Sequence, residues 1–332
     1  MTTHPDSSLY PDSLHPETRA MLETLEAGFP KLETMTGPAA RELIRSRRVP
    51  NPHPEPVGSV SEHVLDGPGG ALRVRLYRPV IAATTATAEP TPAVVFAHGG
   101  GFVFCDLDTH DDLCRSLCNG TDATIVSVDY RLAPEHPGPA AADDVHAAFR
   151  WVHERAAELG IDPARIALAG DSAGGNLAAV TAVRARDEGG PTPSAQILLY
   201  PVIDDDFDTD SYRRYGHGYY NTRAAMQWYW RQYAPGGATS SRLSVSRAES
   251  LSGLASALIV TAGLDPLRDE GDAYAERLTR EGVPTVHRRY DGLFHGFLTF
   301  PALGTTFAPR AEILSLARTL LGRGAGSAPG GV

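Results

Sequence analysis

The pentapeptide Gly170-Asp171-Ser172-Ala173-Gly174 stands between the apolar run RIALAG and a segment of helical spacing, NLAAV. Small residues two positions before and after a serine permit a sharp strand-to-helix turn that pushes Oγ into the open. The helix that follows would aim backbone N–H groups and its positive end at the same point. A serine hydroxyl is a weak nucleophile until a base takes its proton, so this chemistry requires a histidine and a carboxylate further along. Both occur in order. Asp265 follows the strand-like run ALIVTAGL, at the end of a strand where ligands meet open α/β sheets. His295 follows the next such run, TVHRRY, in the loop YDGLFHGF. The chemistry implied is addition of Ser172 to a carbonyl carbon, with His295 as base and Asp265 orienting it.

Such an addition creates an oxyanion that needs donors. After the run AVVFA comes His98-Gly99-Gly100-Gly101-Phe102, whose glycines let backbone approach an oxygen without Cβ obstruction. Gly99 and Gly100, with the Ala173 amide, are the expected oxyanion hole. Phe102, Asp171, Tyr219 and Tyr220 are the candidates to touch substrate. Asp269, Glu270 and Asp272 are acidic but fall within the helical stretch after Asp265, where they supply N-terminal charge. His146 and His153 sit in an amphipathic helix as surface or packing residues, and His287 lies within a strand. Asp106, Asp108, His110, Asp111 and Asp112 offer hard-metal ligands, but their spacing matches no EF-hand loop or two-histidine zinc motif. They are expected to begin the next helix, and no metal site is expected.

The elements that must position these groups are legible as runs. Residues from Pro16 to Arg48 carry helical spacing interrupted at Pro30, which predicts two short helices. From Glu62 onward come eight candidate strands: EHVLDG, ALRVRLYRP, AVVFAH, TIVSVDY, RIALAG, AQILLYP, ALIVTAG and TVHRRY. The first two can pair as a hairpin through DGPGG, and helix-length segments separate most of the later ones. Apolar runs alternating with helices predict an α/β fold with a mostly parallel sheet buried on both faces. Between Val202 and Leu254 there is no convincing strand, but eight tyrosines and tryptophans lie between Tyr212 and Tyr233. This stretch is expected to be an insertion over the C-terminal edge of the sheet, its aromatics serving chiefly as packing. The expected organisation is N-terminal helices over 1–48, a catalytic domain over 49–202 and 255–322, an insertion over 203–254 and a flexible tail over 323–332. The low-complexity segment IAATTATAEPTP is expected to be an exposed loop.

Bulk properties exclude several classes. The 332 residues carry a formal net charge of -10, against a nucleic-acid partner that would need clustered basic residues. Lys31 is the only lysine. The opening MTTHPDSSLYPDS has neither a charged nor an apolar leader region, and no apolar run reaches the ~18 residues of a membrane span. A soluble cytoplasmic protein without stable membrane association is expected. Cys105, Cys114 and Cys118 are odd in number and lack CxxC spacing, which points to reduced thiols.

These motifs together resemble the bacterial esterases similar to mammalian hormone-sensitive lipase. HGGGF, VDYRLAPEHP followed by AADD, GDSAGGN, LDPLRDEG and FHGF stand in that family's order, from Glu62 to the last helix. The resemblance implies an α/β-hydrolase fold with eight strands, a helical cap made by the N-terminal helices and the insertion near Asp204 to Tyr233, and Ser172, Asp265 and His295 as triad. It implies cofactor-free hydrolysis of small carboxylic esters with short or medium acyl chains, and a structural role for His98. Two residues depart from the pattern: Cys105 where glycine is common, and Gly138 where an aromatic is common. The same triad could serve an amidase or peptidase, and the same scaffold a non-catalytic ligand-binding protein. Strands at the end of the sheet are where a homodimer would pair.

Overall fold

A computed structural model describes residues 10–80 and 89–322. Most of the low-complexity segment and the whole tail 323–332 lie outside the described residues. The eight expected strands form one sheet in the order β1-β2-β4-β3-β5-β6-β7-β8. Strands β1 (Ser59–Gly67) and β2 (Gly70–Arg78) make the hairpin, closing at Gly67 opposite Gly70. Strand β2 runs antiparallel to β4 (Thr124–Val128), and from β4 onward all neighbours are parallel.

The central strands are β3 (Thr91–Ala97), β5 (Ile161–Asp171), β6 (Gln196–Leu199) and β7 (Ala257–Leu264). They lack an alternating polar face because both faces are covered. Val95, Ala97 and Leu168 pack on one side with Phe149 and Leu177, whereas Val94, Phe96 and Ala169 pack on the other with Leu117 and Ile313. The helices that supply these layers are α3 (Asp111–Thr121), α4 (Ala140–Glu154), α5 (Ala173–Asp187) and α9 (Phe307–Leu321). Cys114 and Cys118 are small buried members of the second layer.

From β3 the chain crosses to β4 on one side, then returns to place β5 on the other. Order therefore reverses about β3, and the loops that leave β3 and β5 flank a crevice at their C-terminal ends. The two N-terminal helices are α1 (Pro16–Gly28) and α2 (Gly37–Ser46), separated near Pro30 as the spacing predicts. The aromatic-rich stretch folds into α6 (Asp210–Tyr215) and α7 (Arg223–Tyr233). Distant parts of the sequence are joined here: Trp228 Nε1 donates to Met35 O at 3.1 Å, Tyr10 Oη to Gly218 O at 2.9 Å, and Phe29 meets Tyr220 edge-on at 4.9 Å.

Candidate active site

Ser172 sits at the junction of β5 and α5 with φ 55° and ψ −119°. This backbone conformation costs a non-glycine residue about 1–3 kcal/mol and persists only where its surroundings enforce it. Packing supplies the enforcement. A Cβ on Gly170 would lie 2.2 Å from Gly174 O, and one on Gly174 would lie 1.9 Å from Ala97 O. Ser172 N donates to Leu199 O at 2.8 Å, and Ser172 O accepts from Val202 N at 3.0 Å, so β6 holds the turn from the other side.

The expected partners converge on that serine. His295 Nε2 lies 2.8 Å from Ser172 Oγ, and His295 Nδ1 lies 2.7 Å from Asp265 Oδ2. Asp265 is 1% exposed, and its other oxygen accepts from Leu267 N at 2.9 Å. The acid and the base leave neighbouring parallel strands, β7 and β8 (Thr285–Phe294), which puts them at one edge. Tyr200 braces the imidazole edge-on, ring centres 5.2 Å apart. The three groups form an unbroken hydrogen-bonded chain able to move a proton off Ser172 and back.

The glycine loop departs from expectation at one position. The Gly99 amide donates to Asp171 Oδ1 at 2.7 Å and is spent there. Among the described residues, no hydrogen bond to a protein acceptor uses the amides of Gly100, Gly101 or Ala173. Gly100 O accepts from Val103 N and Phe104 N at 3.0 and 3.1 Å, which turns the Gly101 N–H of the same planar peptide the opposite way. Gly100 and Gly101 have φ of 109° and 59°, open to glycine at little cost. Gly101, not Gly99, is thus the glycine whose amide is available beside Gly100.

Two other expectations, those for Phe102 and Tyr219, are corrected. Asp171 borders the cavity, with Oδ1 accepting from the Gly99 amide at 2.7 Å and facing His110 Nε2 at 3.2 Å. Burial opposes its charge, but the charge and hydrogen bond of His110, together with the Gly99 amide, outweigh it and hold the carboxyl below the usual range. Phe102 is fully buried and stacks on Tyr233 at 3.9 Å, a packing role. Tyr219 is buried against Tyr10 and Tyr215 and does not line the cavity at Ser172. Tyr220 does line it.

That cavity, about 320 Å³, is walled by Leu25, Phe29, Phe104, Tyr220, Met226 and Tyr229, with Ser172 and His295 at its floor. The N-terminal helices and the aromatic-rich stretch share the wall. Phe29, Met226 and Tyr229 are not among the residues the sequence singles out for the site; the aromatic concentration signals only the stretch that holds Met226 and Tyr229. Cys105 also borders the cavity, at φ 69°, the conformation that explains why glycine suits this position. At Gly138 an added Cβ would lie 2.5 Å from Leu243 and 2.8 Å from the Tyr233 ring, so those side chains fill the space of the expected aromatic. A wider groove of about 840 Å³ beside β1 and α4, lined by His63, Trp151 and several paired arginines, contains none of the Ser172, His295 or Asp265 groups.

The remaining candidates have structural employment. His98 is fully buried, stacked on Tyr130 at 4.2 Å, with Nδ1 2.7 Å from Gly99 O. Burial first, and then neighbouring His110, push its pKa down to about 4, so the ring is neutral. Asp106 Oδ1 accepts from Asp108 N and Thr109 N, Asp108 pairs with Arg75, and Asp111 holds Arg115 and Tyr77 Oη. Asp111 and Asp112 open α3 as expected. Glu270 does more than supply helix charge: it is buried and accepts from Ile203 N at 2.8 Å, while Asp269 accepts from Ser211 N at 2.8 Å. Both tie the stretch after β6 to α8 (Arg268–Arg280).

A sheet of this order, with a serine on a strained turn after β5 and an aspartate and histidine after β7 and β8, defines an α/β hydrolase. The family model for the alpha/beta hydrolase fold matches residues 94–299. The chain belongs to that family, in its branch of carboxylesterases similar to hormone-sensitive lipase. It is 45% identical to the carboxylic ester hydrolase LipN of Mycobacterium tuberculosis over 86% of this chain and 77% of the relative. It is 35% identical to an ethyl acetate hydrolase of Pseudomonas putida, covering 86% of this chain and 92% of that one. The solved hyperthermophilic esterase of Pyrobaculum calidifontis superposes with a TM-score of 0.82 at 40% identity, covering 92% of this chain and 98% of the other. Among the described residues, no helix is long and apolar enough to cross a membrane.

Proposed function

We propose that the chain is a serine carboxylesterase acting on small esters of short to medium acyl length through an acyl-enzyme. Ser172 Oγ attacks the ester carbonyl carbon as His295 Nε2 takes its proton. Asp265 fixes the Nδ1–H tautomer and stabilises the imidazolium. The amides of Gly100, Gly101 and Ala173 receive the oxyanion. His295 then gives its proton to the departing alkoxide. A water, deprotonated by His295, attacks the acyl carbon and releases the acid and free Ser172.

The observation that carries this reading is the buried Ser172–His295–Asp265 chain, with links of 2.8 and 2.7 Å, opening into the cavity beside the Gly100, Gly101 and Ala173 amides, which have no protein acceptor among the described residues. A cavity near the small end of the ~300–1,000 Å³ range for ligand pockets supports a modest acyl group. The helices of 1–48 and the 203–254 stretch act as the cap, since together they wall the cavity. Three free cysteines support a reducing, cytoplasmic setting. The outer edges of β1 and β8 have no neighbouring strand among the described residues, which supports a homodimer paired at an end of the sheet.

The test is hydrolysis of p-nitrophenyl esters from acetate to dodecanoate by wild type and Ser172→Ala. Activity should peak on the shorter chains and drop about 10,000-fold in the variant. Activity surviving in Ser172→Ala, or a peak at dodecanoate, would contradict the nucleophile or the acyl range respectively.

A further inference from the structure

His110 takes no part in the proton chain, yet it is 4% exposed, stands immediately before α3 and forms part of the cavity wall beside the glycine loop. Each ring nitrogen faces a polar atom: Nε2 is 3.2 Å from Asp171 Oδ1 and Nδ1 is 3.1 Å from Thr109 Oγ1. The Gly99 amide is 3.3 Å from Nε2 but closer, at 2.7 Å, to Asp171 Oδ1. The Asp171 carboxylate beside Nε2 favours the tautomer that carries its proton there, which lets the ring donate to Asp171 instead of setting a lone pair against it. On the other side, Thr109 Oγ1 accepts from Asp106 N at 2.9 Å, and its single proton can go to Asp106 O, 2.9 Å away, or to Nδ1. By turning that hydroxyl, Thr109 can either donate to Nδ1 or accept from it.

We propose that His110 is a positioning residue of the oxyanion loop, clamping the Asp171 carboxylate that in turn holds the Gly99 amide. The proposal rests on the reading of Ser172 as an ester-hydrolysing nucleophile. Contact between clamp and loop is tight: a Cβ on Gly99 would lie 2.5 Å from Asp171 Oδ2, so a shift of the carboxylate is transmitted to Gly99 and on to the next two amides. A buried carboxylate deprived of its imidazole donor would turn or take up a proton, and the Gly99 amide would lose its acceptor. His110 thereby acts on the transition state through the backbone without touching the ester.

The test compares His110→Phe, which removes both ring nitrogens, with His110→Gln, whose amide nitrogen can reach the place of Nε2. Three readouts are taken. One is steady-state hydrolysis of p-nitrophenyl butyrate. Another is inhibition by a trifluoromethyl ketone, which forms a tetrahedral adduct, against the matching methyl ketone, which serves as a ground-state mimic. The third is hydrogen exchange of the peptide spanning residues 98–104. In His110→Phe, kcat should fall about 30- to 100-fold with KM within twofold, in the range for disturbing an oxyanion donor or its support. Trifluoromethyl ketone affinity should fall by the same factor while that of the methyl ketone holds, and the peptide should exchange faster. His110→Gln should recover kcat to within about fivefold of wild type and restore protection. A kcat within threefold of wild type in His110→Phe, equal loss in both variants, or a rise in KM alone would overturn the clamp. Should His110→Phe fail to fold, His110→Asn, whose shorter amide stops short of Asp171, replaces it with the same expectations. If wild type shows no Ser172-dependent ester hydrolysis, the functional reading fails by itself. The exchange comparison then still decides the clamp, which is overturned if the peptide's protection is equal in all variants.

Discussion

The turn that carries Ser172 and the wall that faces it are built on different principles. At the turn, backbone meets backbone: Gly170 and Gly174 approach each other and the Ala97 carbonyl so closely that neither glycine could carry a Cβ, and the strained φ of Ser172 is the product of that fit. At the wall, side chain meets side chain: Phe29 on Tyr220, Phe104 against Tyr229, Trp228 against Tyr229. Backbone packing tolerates one residue type per position, whereas aromatic packing can be satisfied by many combinations of similar volume. The turn proposed to perform the chemistry is therefore sterically exacting, whereas the wall proposed to select what enters can be filled in more than one way.

This contrast can be broken most forcefully at the turn. Gly174→Val would drive a branched side chain into the Ala97 and His98 carbonyls, 1.9 and 2.6 Å from the new Cβ. Loss of about 4 kcal/mol or more of stability is expected in urea or thermal unfolding. A loss under 1 kcal/mol would mean that the turn can relax and that its glycines are not dictated by fit.

The place where the two regions touch gives a smaller effect. A Cβ on Gly101 would lie 2.1 Å from the Tyr229 ring, so Gly101→Ala should displace an oxyanion amide and lower kcat about 100-fold. Adding Tyr229→Ala removes the obstruction and should return part of that loss. A double-mutant cycle with no coupling would separate wall from loop. Smallest of all, Met226→Ala enlarges the wall alone. The ratio of kcat/KM for octanoate over acetate esters should rise about tenfold with the acetate kcat nearly unchanged. An unchanged ratio would remove Met226 from the acyl pocket.

The same contrast explains what could be read in the residues. Eight strands, their alternation with helices and the order Ser172, Asp265, His295 follow from runs and motifs, because apolar periodicity and turn chemistry are local properties. The glycine loop is legible as the proposed oxyanion element but not residue by residue. Gly99, Gly100 and Gly101 are alike in type, and only the carboxylate of Asp171, brought alongside by the pairing of β3 with β5, distinguishes the one whose amide is spent. Phe102 and Tyr219 looked available because they adjoin motifs or lie among aromatics. Burial in the folded chain assigned them to packing. His110 stood among acidic residues that suggested a metal, and its relation to Asp171 required two loops distant in sequence to meet.

By itself, then, the sequence determined a doubly covered, mostly parallel sheet, the serine turn and the acid and base proposed to serve it, because each is written in neighbouring residues whose conformational demands are strict. Tertiary structure decided which amides remain free, which aromatics face the cavity and what holds the glycine loop. Those outcomes depend on atoms that come within hydrogen-bond or van der Waals distance only after β3, β5 and the covering helices have packed, and no local spacing encodes such distances.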